Sequence, residues 1–245
     1  MAVPDVQYLR LDELSEAELH EAYEPPEEDW LRVNFVSSAD GAATLEGLSG
    51  PLSGKADKRV FKVLRASCDV LLAGSGTVLA EGYGPLVLDP EREAWRTERG
   101  LPRVPVMAVA SRSARLDPEA ALFTHAPRRP VVVCAADAAV GHMAALREVA
   151  DVVAVGHGEI DYEAALGVLR ERGLRRVLCE GGPRVFGELI AADLVDELCL
   201  TVSPLLVGAG PIRVAEGRAA ASARPLRLRH VIEAEGNLIL RYLRG

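Results

Sequence analysis

Apolar residues along the 245-residue chain fall into short β-branched runs that alternate with stretches of helical spacing. LRVNFVSS (31–38), DVLLAG (69–74), VPVMAVA (104–110), RPVVVCA (129–135), DVVAVG (151–156) and RRVLCEG (175–181) predict strands. Between them, Val60, Phe61, Val63 and Leu64 recur at helical spacing within 56–67, and residues near 137–149 and 161–172 carry the same period. Strands separated by helices imply a mostly parallel sheet covered on both faces. LVDELCLTVSPLLVG (194–208) reads as a further strand. The final LRLRHVIEAEGNLILRYLR alternates apolar and polar residues about Gly236-Asn237, which predicts an antiparallel C-terminal hairpin. The expected fold class is therefore α/β.

Two segments stand apart from this alternation. Residues 11–24 are helical and acidic, and Pro25-Pro26 closes them, so residues 1–29 read as a helical arm appended to a main domain spanning 30–245. The Pro- and Arg-rich stretch 85–103 reads as a surface excursion. ADGAATLEGLSGPLSGK (39–55) is a glycine- and serine-rich loop long enough to be functional.

Composition narrows the function classes. A net charge of -8 argues against general nucleic-acid binding, which needs a basic footprint, but leaves room for a local phosphate pocket. Cys68, Cys134, Cys179 and Cys199 form no CxxC pair and sit among apolar residues, so buried reduced thiols are expected and no metal site. The N-terminus lacks a signal-peptide pattern and no apolar run reaches the ~18 residues of a membrane span. A cytoplasmic protein without membrane partners is the expectation.

In open α/β sheets ligands bind at the carboxyl ends of the strands. Those ends deliver Ser37, Ser38, Asp40 and Gly41; Gly74, Ser75, Gly76 and Thr77; Ser111 and Arg112; and Glu180, Gly181 and Gly182. Gly181-Gly182-Pro183 is either plain punctuation between strand and helix or bare backbone at a helix start, where N–H groups and the helix dipole receive a phosphate. GSGTVLAEG lacks the third glycine of GxGxxG; GxxxxGK[ST], GxSxG and HExxH are missing too, and the five histidines are scattered.

Taken together, NFVSSADG (34–41), ADKRVFKVLRASCDVLLAGSGTVLAEGYGPL (56–86) and LCEGGPRVFGELIAADLVDELCLTVSPLLVGAG (178–210) resemble the reductase domain of the bacterial riboflavin-biosynthesis deaminase-reductase, from about Leu31 to Tyr242. The resemblance implies a dihydrofolate-reductase-like three-layer sandwich and, usually, a homodimer. It implies NADPH-dependent reduction of 5-amino-6-(5-phosphoribosylamino)uracil to its ribitylamino product. The deaminase's HxE…PCxxC zinc signature has no match, which leaves a stand-alone reductase or a relative that uses the fold otherwise.

Carried over by position, the resemblance makes Gly181, Gly182 and the helix start at Pro183, Arg184 and Val185 a pyrophosphate cradle, with Gly74 and Thr77 beside it and Val36 on the nicotinamide side. Ser111 and Arg112 resemble a pair that reads the cofactor 2′-phosphate, Arg112 being otherwise a solvated loop arginine. Ser49, Arg65 and Glu180 align with substrate contacts; Arg65 could instead serve its helix end, and Glu180 could cap the next helix. Asp40, Glu81 and Glu180 are the candidate proton donors, with an Asx turn as the alternative for Asp40. Ala80-Glu81-Gly82-Tyr83-Gly84-Pro85 stands where the family often reads A-D-D-P, the arginine that commonly follows to hold the substrate phosphate is not evident in LVLD (86–89), and Pro51 stands where some members carry an aromatic residue. Reduction of a pterin and cofactor sensing without turnover remain as alternatives.

Overall fold

A computed structural model describes residues 6–25 and 29–245. Its strands are β1 (Gln7–Arg10), β2 (Trp30–Ser38), β3 (Val70–Gly74), β4 (Val106–Ala110), β5 (Val131–Cys134), β6 (Asp151–Ala154), β7 (Arg176–Cys179), β8 (Glu197–Ser203), β9 (Leu226–Ala234) and β10 (Asn237–Arg244). They form one sheet in the order β1-β9-β10-β8-β2-β7-β3-β4-β5-β6. Every pairing is parallel except those of β10 with β8 and β9. The expected mostly parallel sheet with an antiparallel end is thus present.

Alternation along the strands sends side chains to two cores. Leu71, Ala73, Met107, Val109 and Val132 face one side, where α1 (Glu16–Ala22), α2 (Lys55–Ser67) and α6 (Val140–Val149) supply Leu19, Val60, Leu64 and Leu146. Val70, Leu72, Val106, Ala108 and Val131 face the other, against Leu166 and Leu169 of α7 (Tyr162–Glu171) and Phe186 and Leu189 of α8 (Pro183–Ala191). Three layers result, because a strand buried on both faces needs a helix on each. All four cysteines are buried free thiols.

The hairpin turn lies one residue earlier than expected. Glu235 (φ 53°) and Gly236 (φ 78°) occupy it, a two-residue turn with both φ positive, and Asn237 opens β10 while donating from Nδ2 to the Ala234 carbonyl at 3.0 Å.

The stretch 85–103 is not a surface excursion throughout. Asp89 caps α4 (Pro90–Glu98), and Arg96, wholly buried, donates to the carbonyls of Ala66 and Cys68 at 2.8 and 2.6 Å and of Pro102 at 2.6 Å. One arginine thus satisfies the C-terminal end of α2, a role that hydrophobic periodicity does not reveal.

The N-terminal segment is likewise built into the domain. Residues 1–5 and 26–28, including Pro26 of the expected closing pair, lie outside the described residues. In between, β1 pairs with β9, and Leu11, Leu19 and Tyr23 are buried. The buried Glu197 carboxylate receives Arg32 Nε at 2.7 Å, Arg241 Nε at 2.8 Å and Trp30 Nε1 at 2.8 Å. The same two guanidinium groups donate to the Tyr23 and Ala22 carbonyls. The C-terminal end of α1 is therefore tied to the sheet by charge-assisted bonds rather than appended to it.

This cluster makes stability sensitive to acid. Burial, with the charge of Arg241 adding, lowers the His230 pKa to about 4, and burial lowers that of His20 to about 4. The unfolded chain, titrating near pH ~6.5, takes up those protons first, so stability is full above that value and falls as pH drops toward 4. Glu197 extends the loss: burial raises its pKa, but Arg32 and Arg241 outweigh burial and hold it at about 2, so its contribution disappears between the usual carboxylate range and 2. Melting temperatures of the wild type and His230→Phe from pH 7.5 to 4 check this. The variant's profile is expected to be flatter, and parallel profiles would remove His230 from the account.

Candidate active site

The carboxyl ends of β2, β3, β4 and β7 open into a cleft of about 980 Å³. Its walls come from α2, from α3 (Ser75–Ala80), from the start of α8 and from the β8–β9 connection. Ile212, Glu216 and Gly217 of that connection reach the cleft. Gly187 lets this segment lie on α8, since a Cβ there would sit 1.9 Å from the Glu216 carbonyl oxygen. Glu216 N–H donates to the Pro183 carbonyl at 2.9 Å and Ala43 N–H to that of Ile212 at 2.8 Å, holding the connection over both walls.

At the glycine end, Gly74 N–H donates to the Gly181 carbonyl at 2.9 Å and Gly182 N–H to Thr77 Oγ1 at 2.9 Å. Gly182 (φ 45°, ψ 134°) stands before α8, a conformation that L residues rarely adopt. Arg184 and Val185 occupy the first turn, where helix N–H groups have no intrahelical acceptor, and the exposed Arg184 side chain makes no ion pair among the described residues. Positive helix end, bare backbone and a free cation fit a pyrophosphate. These residues would hold a dinucleotide, and Val36 lines the cleft at the end of β2 beyond them.

At the other end Arg65 forms a fork with Glu180, Nε to Oε1 at 2.7 Å and Nη2 to Oε2 at 2.6 Å. Tyr83 Oη donates to Oε2 at 3.3 Å, and the Arg65 guanidinium lies 4.2 Å from the centre of the Phe61 ring. Burial raises the Glu180 pKa, and Arg65 and Tyr83 only partly offset it. For Arg65 burial acts downward, but the charge and hydrogen bonds of Glu180 prevail and hold its pKa above the usual value. The Arg65 side chain thus bonds Glu180 rather than its own helix end, and α8 carries no side-chain cap from Glu180.

Of the residues singled out from sequence, Val36, Ser49, Arg65, Gly74, Thr77, Glu81, Arg112, Glu180, Gly181, Gly182, Pro183, Arg184 and Val185 line this one cleft. Asp40 does not. Its exposed carboxylate accepts from Ser38 Oγ and from the N–H groups of Val207 and Gly208 at 3.1 and 2.7 Å, and those bonds, led by Ser38, lower its pKa to about 2. Asp40 clamps the start of the β8–β9 connection and lies outside the cleft. Ser111 is also outside the cleft, buried in a turn where its N–H donates to the Val133 carbonyl and its carbonyl accepts from Ala114. Arg112 reaches the rim alone, 3.3 Å from the Gly158 carbonyl and 3.5 Å from Glu159. Glu81 accepts from Ser49 N–H at 2.8 Å, fixing the 39–55 loop over the Arg65 wall of the cleft.

Four further residues complete that wall: Ser53, Asp57, Lys58 and Phe61. Asp57, Phe61 and Arg65 recur every fourth residue, one face of α2, and that spacing about Arg65 was the signal available in the sequence. Lys58 is exposed, borders the cleft and makes no ion pair among the described residues. No group of three or more His, Cys, Asp or Glu among the described residues is placed to hold a metal. No helix among them is long and apolar enough to cross a membrane.

Fold and cleft together define an α/β protein with a dinucleotide-sized site at its strand ends. The chain belongs to the RibD C-terminal domain family, which matches residues 29–239. It is 29% identical over 180 residues to a 2,5-diamino-6-ribosylamino-4(3H)-pyrimidinone 5′-phosphate reductase of Archaeoglobus fulgidus, covering 73% of this chain and 82% of that one. A solved pyrimidine reductase-like protein from Corynebacterium diphtheriae superimposes with a TM-score of 0.85 at 24% identity, over 95% of this chain and 99% of that chain. The Saccharomyces cerevisiae riboflavin biosynthesis reductase Rib7 does so with a TM-score of 0.67 at 17% identity, over 91% and 92%. These likenesses establish the expected dihydrofolate-reductase-like fold.

Proposed function

We propose that the protein reduces a 5′-phosphorylated ribosylaminopyrimidine with NADPH, the uracil form named above and the 2,5-diamino form named for the archaeal relative being the two members of that class. The observation that carries this reading is the meeting, in one cleft, of the Gly181-Gly182 helix entry and the Arg65–Glu180–Tyr83 cluster. NADPH supplies the hydride when bound, to C1′ of the opened ribosylamine. The chain's own residues bind and orient: Gly182 and Thr77 shape the cradle, and Arg184 offers charge to the pyrophosphate. On the opposite wall Arg65 and Tyr83, held by Glu180, face the substrate. Lys58 is the free cation suited to the substrate phosphate, replacing the arginine missing after Pro85. Holding the two ligands face to face supplies most of the acceleration.

Loss of NADPH absorbance on mixing with the two ribosylaminopyrimidine phosphates, with dihydrofolate in parallel, tests the reading. Oxidation with a pyrimidine alone is the expected result. Oxidation with dihydrofolate alone would transfer the cleft to a pterin, and NADPH binding without turnover of any compound would make the protein a sensor.

Arg112 is the 2′-phosphate contact in this reading, with Glu159 competing for it. Arg112→Ala is expected to narrow the NADPH-to-NADH preference roughly tenfold, the worth of one charge-assisted bond, and Glu159→Gln to widen it. Ratios of kcat/KM for the two cofactors report both effects, and unchanged ratios in both variants would place the 2′-phosphate elsewhere.

A further inference from the structure

The stripe Asp57, Phe61 and Arg65 leaves one charged group without a stated task. Asp57 is 6% exposed and borders the cleft. Among the described residues its carboxylate accepts a hydrogen bond from Ser53 Oγ alone, and no arginine, lysine or histidine pairs with it. Glu180, the other buried acid lining the cleft, is already taken by Arg65 and Tyr83. A carboxylate is an acceptor-only group with about four lone-pair directions, of which Ser53 fills one. Burying such a group without a cation is costly unless donors arrive from elsewhere. The cleft is where they can arrive.

The two members of the substrate class differ at C2 of the base. The 2,5-diamino-4(3H)-pyrimidinone presents its 2-amino group beside N3–H, two parallel donors spaced for the two oxygens of one carboxylate. The uracil presents a C2 carbonyl there, an acceptor that would meet Asp57 oxygen to oxygen. Resting on the reductase reading above, we propose that Asp57 is a specificity-determining residue that accepts from the 2-amino and N3–H edge of the pyrimidinone and makes this protein select the 2-amino over the 2-oxo substrate. Ser53 orients the carboxylate from behind, and Phe61, one turn along the same face, is placed to pack on the ring.

The test is kcat/KM, with NADPH, for 2,5-diamino-6-ribosylamino-4(3H)-pyrimidinone 5′-phosphate and for the corresponding 5-amino-uracil, in the wild type, Asp57→Asn and Ser53→Ala, together with calorimetric binding of both compounds. The wild type is expected to favour the 2-amino compound by about 100-fold or more, since a site built to pair with donors rejects an analogue lacking them. Asp57→Asn, whose amide both donates and accepts, is expected to cut that ratio at least tenfold, chiefly through KM, and Ser53→Ala to cut it less. A wild-type ratio near one, or favouring the 2-oxo compound, overturns the proposal even if Asp57→Asn does not fold. So does an unchanged ratio in an Asp57→Asn protein that melts normally. If neither compound is reduced, the reductase reading falls by itself. Calorimetry then decides Asp57, equal affinities sinking it and a 2-amino preference lost in Asp57→Asn supporting it.

Discussion

Arg65→Met is expected to destabilise the protein by about 3 kcal/mol and to lower kcat/KM by about 100-fold or more, because breaking one side of a buried ion pair strands the other charge. The Glu180 side chain has no exposed surface, whereas that of Arg65 is 23% exposed. Glu180→Gln is therefore the milder change for stability: the guanidinium left behind can turn toward water, while the stranded carboxylate cannot. Burial already raises the Glu180 pKa, and losing Arg65 raises it further. A carboxyl whose folded pKa lies above its unfolded value penalises folding as pH rises and ceases to do so once it is protonated in both states. The stability deficit of Arg65→Met is thus expected to be largest at pH 8 and to shrink toward pH 5. The double variant Arg65→Met/Glu180→Gln, with no stranded charge, is expected to regain most of the stability and none of the activity. Denaturant melts at the two pH values and steady-state kinetics read these separately. An active double variant would reduce the pair to a structural device and remove the substrate contact from Arg65.

What the sequence displays and what it hides follow from how each element is stabilised. The inner strands are legible because burial on both faces demands continuous β-branched runs such as VLLAG and VVVC. Helix α4 is hidden because its anchoring residues are Arg92 and Arg96, whose buried polar bonds leave no apolar period to read. The integration of the N-terminal segment is hidden for a related reason: the tie runs from Arg32 and Arg241 to main-chain carbonyls, which any residue supplies. In the cleft the glycines are visible in the sequence as bare backbone at a strand-to-helix junction, but local sequence alone leaves them equally open to plain punctuation. The acids are no more decisive, because a carboxylate on a loop can clamp backbone or face a ligand with the same local sequence. Asp40 does the first, holding Val207 and Gly208 from 167 and 168 positions away. Asp57, inside α2 and outside its apolar period, borders the cleft.

Gly182→Val is expected to weaken NADPH binding about 100-fold or more, the loss of two charge-assisted hydrogen bonds to the pyrophosphate, while leaving the pyrimidine phosphate's affinity close to the wild-type value. Two effects combine. A β-branched residue at φ 45° is strained, at a cost of about 1–3 kcal/mol, and relief requires the peptide to rotate away from its present orientation. The added Cβ also lies 3.3 Å from Thr77 Oγ1, the atom that now accepts the Gly182 N–H at 2.9 Å, so the tie between the two glycine turns loosens together with the strain. Both displace the first turn of α8, whose N–H groups in the proposed cradle would owe their affinity for an anion to being fixed in advance of its arrival. Thr77 offers a graded comparison. Thr77→Ser keeps the hydroxyl and is expected to be nearly silent, whereas Thr77→Val removes one hydrogen bond worth about 1 kcal/mol and is expected to weaken NADPH roughly fivefold. Fluorescence titration with NADPH, beside calorimetry with the pyrimidine phosphate, measures both ends of the cleft in each variant. Unaltered cofactor affinity in a folded Gly182→Val protein would remove the cradle from this junction, whereas equal losses for the two ligands would mean that the substitution collapses the cleft as a whole.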